Sequence, residues 1–253
     1  MPSFIKIMDV KINNITLKKA VDKVNKFLNG KDTKVIYTPN TEVVMIAKDD
    51  DKLKTILNDG DLTIPDGIGL VYASKIKKRP LAERVTGYDL SVEMIKLANK
   101  KGYSLFLLGG EKGVAKRASE RLKNIYPNLN IAGVHHGYFK GTHIGYKNHE
   151  DEKKVIEIIN KSNADILFVG FGAPKQEKWI HENKDKLNCK VIIGNGGTID
   201  VLAGKVKRAP KVYQKLGLEW LYRLIKEPWR IKRQMVLPLF MLHVLFSRKN
   251  IVK

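Results

Sequence analysis

Apolar residues in this chain follow two rhythms. Short unbroken runs, Val35–Tyr37, Leu62–Ile64, Leu105–Leu108, Ile131–Val134, Ile166–Val169 and Val191–Ile193, read as strands buried on both faces. Phe4–Val10 opens the chain as a further strand. Between the runs, apolar positions recur at helical spacing. Leu17, Ala20, Val21, Val24, Phe27 and Leu28 form one such set, and Val43, Ile46, Ala47, Leu53 and Leu57 another. Gly109-Gly110 leads into a helix reaching about Tyr126. Strands that alternate with helices predict a parallel sheet covered on both faces, a Rossmann-like α/β body. Residues 136–153 lack periodicity and are rich in turn formers, so they read as a surface loop.

From Gly204 the pattern changes. Residues 204–253 hold thirteen Lys and Arg against two Glu, a net of +11 out of +21 for the whole chain. Leu216, Trp220, Leu221, Leu224 and Ile225 make an apolar stripe, and Arg223, Lys226, Arg230 and Arg233 recur at three- and four-residue spacing. Pro228 and Pro238 are expected to break the segment into two or three short helices. The apolar run Met235–Phe246 has twelve residues, whereas a spanning helix needs about 20. It suits lying on a bilayer rather than crossing one. The organisation expected is therefore an α/β body over 1–203, with a weak boundary dividing sub-lobes 1–101 and 102–203, and a basic, amphipathic, membrane-associating helical appendage over 204–253.

A net charge of +21 implies polyanionic partners: nucleic acid, phosphorylated small molecules or anionic lipid. A nucleic-acid arm gains nothing from Met235–Phe246, which argues against that class. One cysteine, Cys189, excludes an internal disulfide framework and fits a reducing compartment. The N-terminal residues do not form a signal peptide pattern.

Parallel sheets bind ligands at the carboxyl ends of their strands. Five such ends carry glycines or small polar residues: Thr38 to Glu42, Pro65 to Gly69, Gly109 to Gly113, Gly170 to Glu177 and Gly194 to Asp200. Glycine segments such as Gly109-Gly110 and Gly196-Gly197 let backbone N–H groups approach a phosphate, although each can equally be a tight turn. Val114 spoils a G-x-G-x-x-G fingerprint, which disfavours a nicotinamide-dependent oxidoreductase. Asp66 could take a proton from a hydroxyl, but locally an Asp-Gly turn is the favoured reading. Thr38 and Asn40 could be helix caps, and Gln176 could bind a ligand or sit exposed in a first turn. Asp59-Gly60-Asp61 resembles a metal-holding D-x-D but precedes its strand, at the wrong edge of the sheet. His135, His136, His143 and His149 lack metal-site spacing. Glu219 stands four residues before Arg223 and four after Lys215, so the three could be ordinary helix pairs. Arg230 and Arg233 have no such partner, which points them toward an external anion.

Taken together, Thr38-Pro39-Asn40, Pro65-Asp66-Gly67, Gly172-Ala173-Pro174-Lys175-Gln176-Glu177, Gly194 to Asp200, Arg208-Ala209-Pro210 and Glu219-Trp220-Leu221-Tyr222-Arg223 with Glu227-Pro228 and Arg230 resemble the WecG/TagA/CpsF glycosyltransferases. The resemblance runs from the first strand to about Arg233, and its P-K-Q-E and E-W-x-x-R-x-x-x-E-P segments are specific. It implies transfer of a sugar from a UDP-sugar donor to a polyprenyl-diphosphate-linked sugar acceptor with inversion. The branch it favours moves N-acetylmannosamine onto N-acetylglucosaminyl-diphospho-undecaprenol for teichoic-acid linkage units. N-acetylmannosaminuronate and glucose are the alternative donors. It implies Asp66 as general base, Thr38, Asn40, Arg84 and Gln176 lining the pocket, and Asp200 near the nucleotide. It also implies Arg223 and Arg230 on the diphosphate, and Arg233, lacking an acidic partner, is a further candidate substrate contact. No metal cofactor is expected, because arginines can replace one on a departing diphosphate. The expected location is the inner face of the cell membrane, held peripherally by an anionic lipid surface. A homo-oligomer is the other way to cover the apolar tail.

Overall fold

The structure is a computed structural model and describes residues 2–246 and Val252. Arg248, Lys249 and Lys253, part of the expected basic appendage, lie outside the described residues.

The chain opens with β1 (Phe4–Ile7) and β2 (Val10–Asn13), an antiparallel hairpin. The single strand expected over Phe4–Val10 is folded back on itself at Met8 and Asp9, whose φ values of 51° and 64° make a two-residue turn that matches strand twist. Then follow α1 (Leu17–Leu28), β3 (Lys34–Tyr37), α2 (Thr41–Asp49), α3 (Asp51–Asn58), β4 (Leu62–Thr63), α4 (Ile68–Ile76) and α5 (Gly87–Lys101). Asp50 explains why one expected helix is two. Its backbone is extended, and its carboxylate accepts the Leu53 N–H at 2.9 Å, capping α3. The second half contains β5 (Ser104–Gly109), α6 (Val114–Ile125), β6 (Asn130–His135), α7 (Glu150–Lys161), β7 (Ile166–Gly170), α8 (Lys175–Asn183), β8 (Val191–Gly194) and α9 (Thr198–Leu202).

Six strands form one parallel sheet in the order β4-β3-β8-β7-β5-β6. The α/β body expected from the apolar runs is therefore present. Side chains alternate between its faces. Tyr37, Phe106, Leu108, Leu167 and Val169 pack with Trp179 and Ile180 on one side. Ile36, Leu105, Leu107, Phe168 and Ile193 pack with α1, α5 and α6 on the other. The sheet does not divide at residues 101–102, because β3 from the first half pairs with β8 from the second.

The loop after β6 runs to His149, which caps α7, so residues 150–153 are helical rather than loop. Buried Glu152 pins it, accepting the Thr142 N–H at 2.9 Å and hydroxyl at 3.1 Å, with Asn183 donating at 3.3 Å.

The tail comprises α10 (Lys211–Lys215), α11 (Glu219–Lys226), α12 (Ile231–Gln234) and α13 (Val236–Phe246). Pro228 ends α11 as expected. Pro238 breaks nothing, because it occupies the first turn of α13, where its missing N–H would be unpaired anyway. The appendage is docked on the body. α13 packs on α2 and α4, Phe240 and Val244 are buried in the core, and Val252 bridges to Ile7. Leu239, Leu242, Leu245 and Phe246 remain exposed on its other face.

Phe240→Ala deletes a fully buried ring, a loss of about 3–5 kcal/mol at a core site. Protease cleavage within residues 230–246 should accelerate while the far-UV signal of the sheet is kept. Unchanged cleavage would mean that this contact does not hold α13.

Candidate active site

The floor of the site is backbone. A Cβ on Gly109, where φ is +153°, would lie 2.6 Å from the Gly170 carbonyl oxygen, and one on Gly170 would lie 2.7 Å from the Gly196 oxygen. The exits of β5, β7 and β8 therefore touch directly, and hydrogen bonds from Gly110 N–H to Gly170 (3.3 Å) and Asn195 N–H to Val169 (3.1 Å) hold them. Above lies a cavity of about 580 Å³, within the range of about 300–1,000 Å³ for small-molecule sites.

Thr38, Asn40, Asp66, Arg84, Gly110, Gln176, Gly196, Asp200, Arg223, Arg230 and Arg233 all line this cavity. Gly109 does not. It supports the floor from beneath, where a side chain has no room.

Several of these groups are engaged within the protein. The Thr38 hydroxyl donates to the Gly194 carbonyl at 2.7 Å. Gln176 accepts the Gly196 N–H at 2.9 Å and donates to the Glu177 carboxylate at 2.9 Å. Both residues thus grip the turn after β8. Asn40 caps α2, accepting the Val43 N–H at 3.0 Å. Asp66 is no mere turn residue. The N-cap of α4 is Gly67, so Asp66 does not cap that helix, and it lines the cavity. Burial pushes its pKa up to about 6, with Arg84 and Arg223 working against the rise, Glu219 adding to it, and the Gly87 N–H at the start of α5 offsetting a little. Asp200 is also raised by burial, partly offset by Lys205.

The arginines pair otherwise than their spacing suggests. Glu219 meets neither Lys215 nor Arg223. It accepts from Arg84, and from Arg208 Nε at 3.3 Å. Arg208 grips Asp89 bidentately at 2.6 and 2.8 Å and stacks on Tyr88 at 4.6 Å. Arg230, expected to be unpaired, meets Glu227 three residues earlier on the same turn, and Arg233 meets Glu42 at 2.7 and 3.1 Å. Among the described residues no carboxylate is paired with Arg223. Arg223, which the spacing could have paired with Glu219, is therefore free in the cavity, as is Lys175 among the described residues.

Glu177 was not singled out by the sequence. It is buried, its pKa is pushed up to about 7 by desolvation, and among the described residues its Oε2 has no partner. Thr41 Oγ1 and Asn195 Oδ1 are also buried and unpartnered, and all three residues line the cavity. The far wall is the loop after β6, where His143 stacks on Phe171 at 4.6 Å. Asp59 and Asp61 stay outside the cavity. Asp61 accepts the Val35 N–H at the amino end of β3 and pairs with Lys34, and Asp59 pairs with Lys184. Among the described residues no trio of His, Cys, Asp or Glu is placed to hold a metal ion.

The sequence profile of the glycosyl transferase WecG/TagA/CpsF family matches residues 5–252. This chain belongs to that family. It is 38% identical over 238 residues to the N-acetylglucosaminyldiphosphoundecaprenol N-acetyl-beta-D-mannosaminyltransferase of Bacillus subtilis (strain 168), covering 94% of this chain and 89% of the relative. It is 34% identical over 249 residues to the protein of the same name from Staphylococcus aureus (strain MRSA252), covering 98% and 94%. The family match spans floor, walls and tail alike. Arg208 stood in the recognised segments without a role. Its partner Asp89 lies 119 residues away, which no local spacing rule could reveal.

Gly109→Ala should destabilise the protein by at least about 1–3 kcal/mol, the scale of a strained backbone position, with a matching fall in the midpoint of denaturant unfolding. A wild-type midpoint would mean that β5 and β7 can separate.

Proposed function

We propose that this chain transfers N-acetylmannosamine from UDP to N-acetylglucosaminyl-diphospho-undecaprenol, the step that builds a teichoic-acid linkage unit. The observation that carries the reading is the Asp66 carboxyl, desolvated in one cavity with Arg84 and the unpaired Arg223. The names of the relatives supply the sugar and the acceptor.

In this mechanism the acceptor hydroxyl gives its proton to Asp66, and its oxygen attacks the anomeric carbon from the face opposite UDP. The bond from that carbon to the diphosphate oxygen breaks, and UDP leaves with the electron pair. Arg223 and Arg230 take up the charge on the diphosphate, Arg230 by exchanging Glu227 for it. Thr38 and Gln176 hold the floor turn that the donor rests on, Asn40 lines the sugar end, and Asp200 lies near the nucleotide. No metal is required, because the guanidinium groups supply the positive charge.

The acceptor resides in a bilayer, and the tail is suited to meet one from the inner face. Among the described residues, ten of the eighteen large exposed hydrophobics fall between Val212 and Phe246, amid clustered Lys and Arg. No helix among them is long and apolar enough to cross a membrane. We read the contact as peripheral.

Release of UDP should require both UDP-N-acetylmannosamine and a short-chain lipid-diphospho-N-acetylglucosamine, and should persist in a chelator. Release without acceptor, or silence with both, would overturn the assignment. Asp66→Asn should lower turnover by about 100-fold while UDP still binds. Because the base acts ionised and burial raises its pKa, wild-type activity should fall as pH drops through about 6. Changing Leu242, Leu245 and Phe246 to Ser should weaken binding to anionic vesicles without unfolding the body. If binding stays intact and the protein sediments as a dimer without detergent, the apolar face belongs to a second copy instead.

A further inference from the structure

We infer that Glu219 is a positioning residue that latches the first turn of α11 between Arg84 and Arg208 and so holds Arg223 over Asp66. The inference rests on Asp66 acting as base.

Its geometry is that of a bridge. Arg84 donates its Nε to the Asp66 backbone carbonyl at 2.9 Å, and its other arm to Glu219. One guanidinium thus joins the base to the tail. On its other side Glu219 accepts from Arg208, which Asp89 fixes to the first turn of α5. The Glu219 side chain is only 13% exposed, and those of Arg84 and Arg208 are 19% and 21% exposed. Exposed pairs contribute little, but removing one partner from a largely buried cluster leaves charges uncompensated. α11 has no side-chain N-cap of its own, so this carboxylate in its first turn is also the acidic group that complements the helix dipole. Arg223 lies one turn on, on the same helix face. Whatever fixes Glu219 therefore fixes Arg223.

The latch has an electrostatic signature. The charged groups acting on Asp66 are Arg84, Arg223 and Glu219. Removing the Glu219 charge withdraws a like charge from Asp66, and loosening α11 both admits water to it and withdraws Arg223 from it. Loss of the like charge and entry of water favour the ionised base, and loss of Arg223 opposes it, so the acid limb reports on the latch as a whole.

The test uses the full chain as wild type, Glu219→Gln, Glu219→Asp and Asp66→Asn, assayed by UDP release across pH and by hydrogen exchange of residues 219–226. The Gln variant should exchange faster in α11 and lose at least about tenfold in kcat, the scale of a charged hydrogen bond. Its acid limb should leave the wild-type position, and the Asp variant should recover part of each effect. Wild-type exchange in α11 together with an unmoved acid limb in the Gln variant would overturn the latch. Wild-type turnover in Asp66→Asn would instead remove the base reading, while exchange in α11 still decides whether Glu219 holds the tail.

Discussion

At the carboxyl edge of the sheet three chain exits meet with no side chain between them, and the rest of the site is arranged around that contact. Gly109 lies against Gly170, and Gly170 against Gly196, at separations where a single added carbon would collide with main chain. Close approach turns N–H and C=O groups into the surface that a ligand sees, backed by the starts of the helices that follow. It also explains why polar residues that look like ligand contacts are spent on internal bonds. The glycines after β8 have no side chains to anchor the turn, so Thr38 and Gln176 reach across to do so, beside Asn195, which donates to Ser91.

The walls and roof are held by a different force. α11 has no fully buried residue, and charge fastens the segment: Arg84 and Arg208 to Glu219, Arg208 to Asp89, Arg233 to Glu42. Only farther along, at Phe240 and Val244, does the tail join the hydrophobic core. The tail is therefore apolar where it is anchored and ionic where it faces the cavity. Ionic contacts can exchange partners at small cost, and a diphosphate is a competitor for the same guanidinium groups.

The sheet was legible in the sequence because strands buried on both faces are uninterrupted apolar runs. The hairpin was not, since Met8 and Asp9 make its turn without the Gly or Asn that usually announces one. The site was legible as a set of positions, because a parallel sheet gathers its strand ends on one rim whatever lies between them in the chain. The connections among those positions were not legible. Glu42 and Arg233 are 191 residues apart, and local spacing offered Glu219 to Arg223 or Lys215 when the fold gives it to Arg84 and Arg208. Glu177 was hidden for another reason. A glutamate in the first turn of a helix is ordinary in sequence, and only burial makes it unusual.

The order of these parts along the chain carries a consequence for how the protein is made. Every strand of the sheet precedes Gly204, and every helix of the roof follows it. Translation runs from the amino end at about 5–20 residues per second, so residues 204–253 emerge over several seconds after the floor is already encoded. During that interval the nascent chain carries an open cleft with Asp66 at its edge and none of the roof's guanidinium groups. The binding surface is born before the machinery that closes over it, and each newly made molecule passes through an unroofed stage before Phe240 and Val244 find their places against α2 and α4.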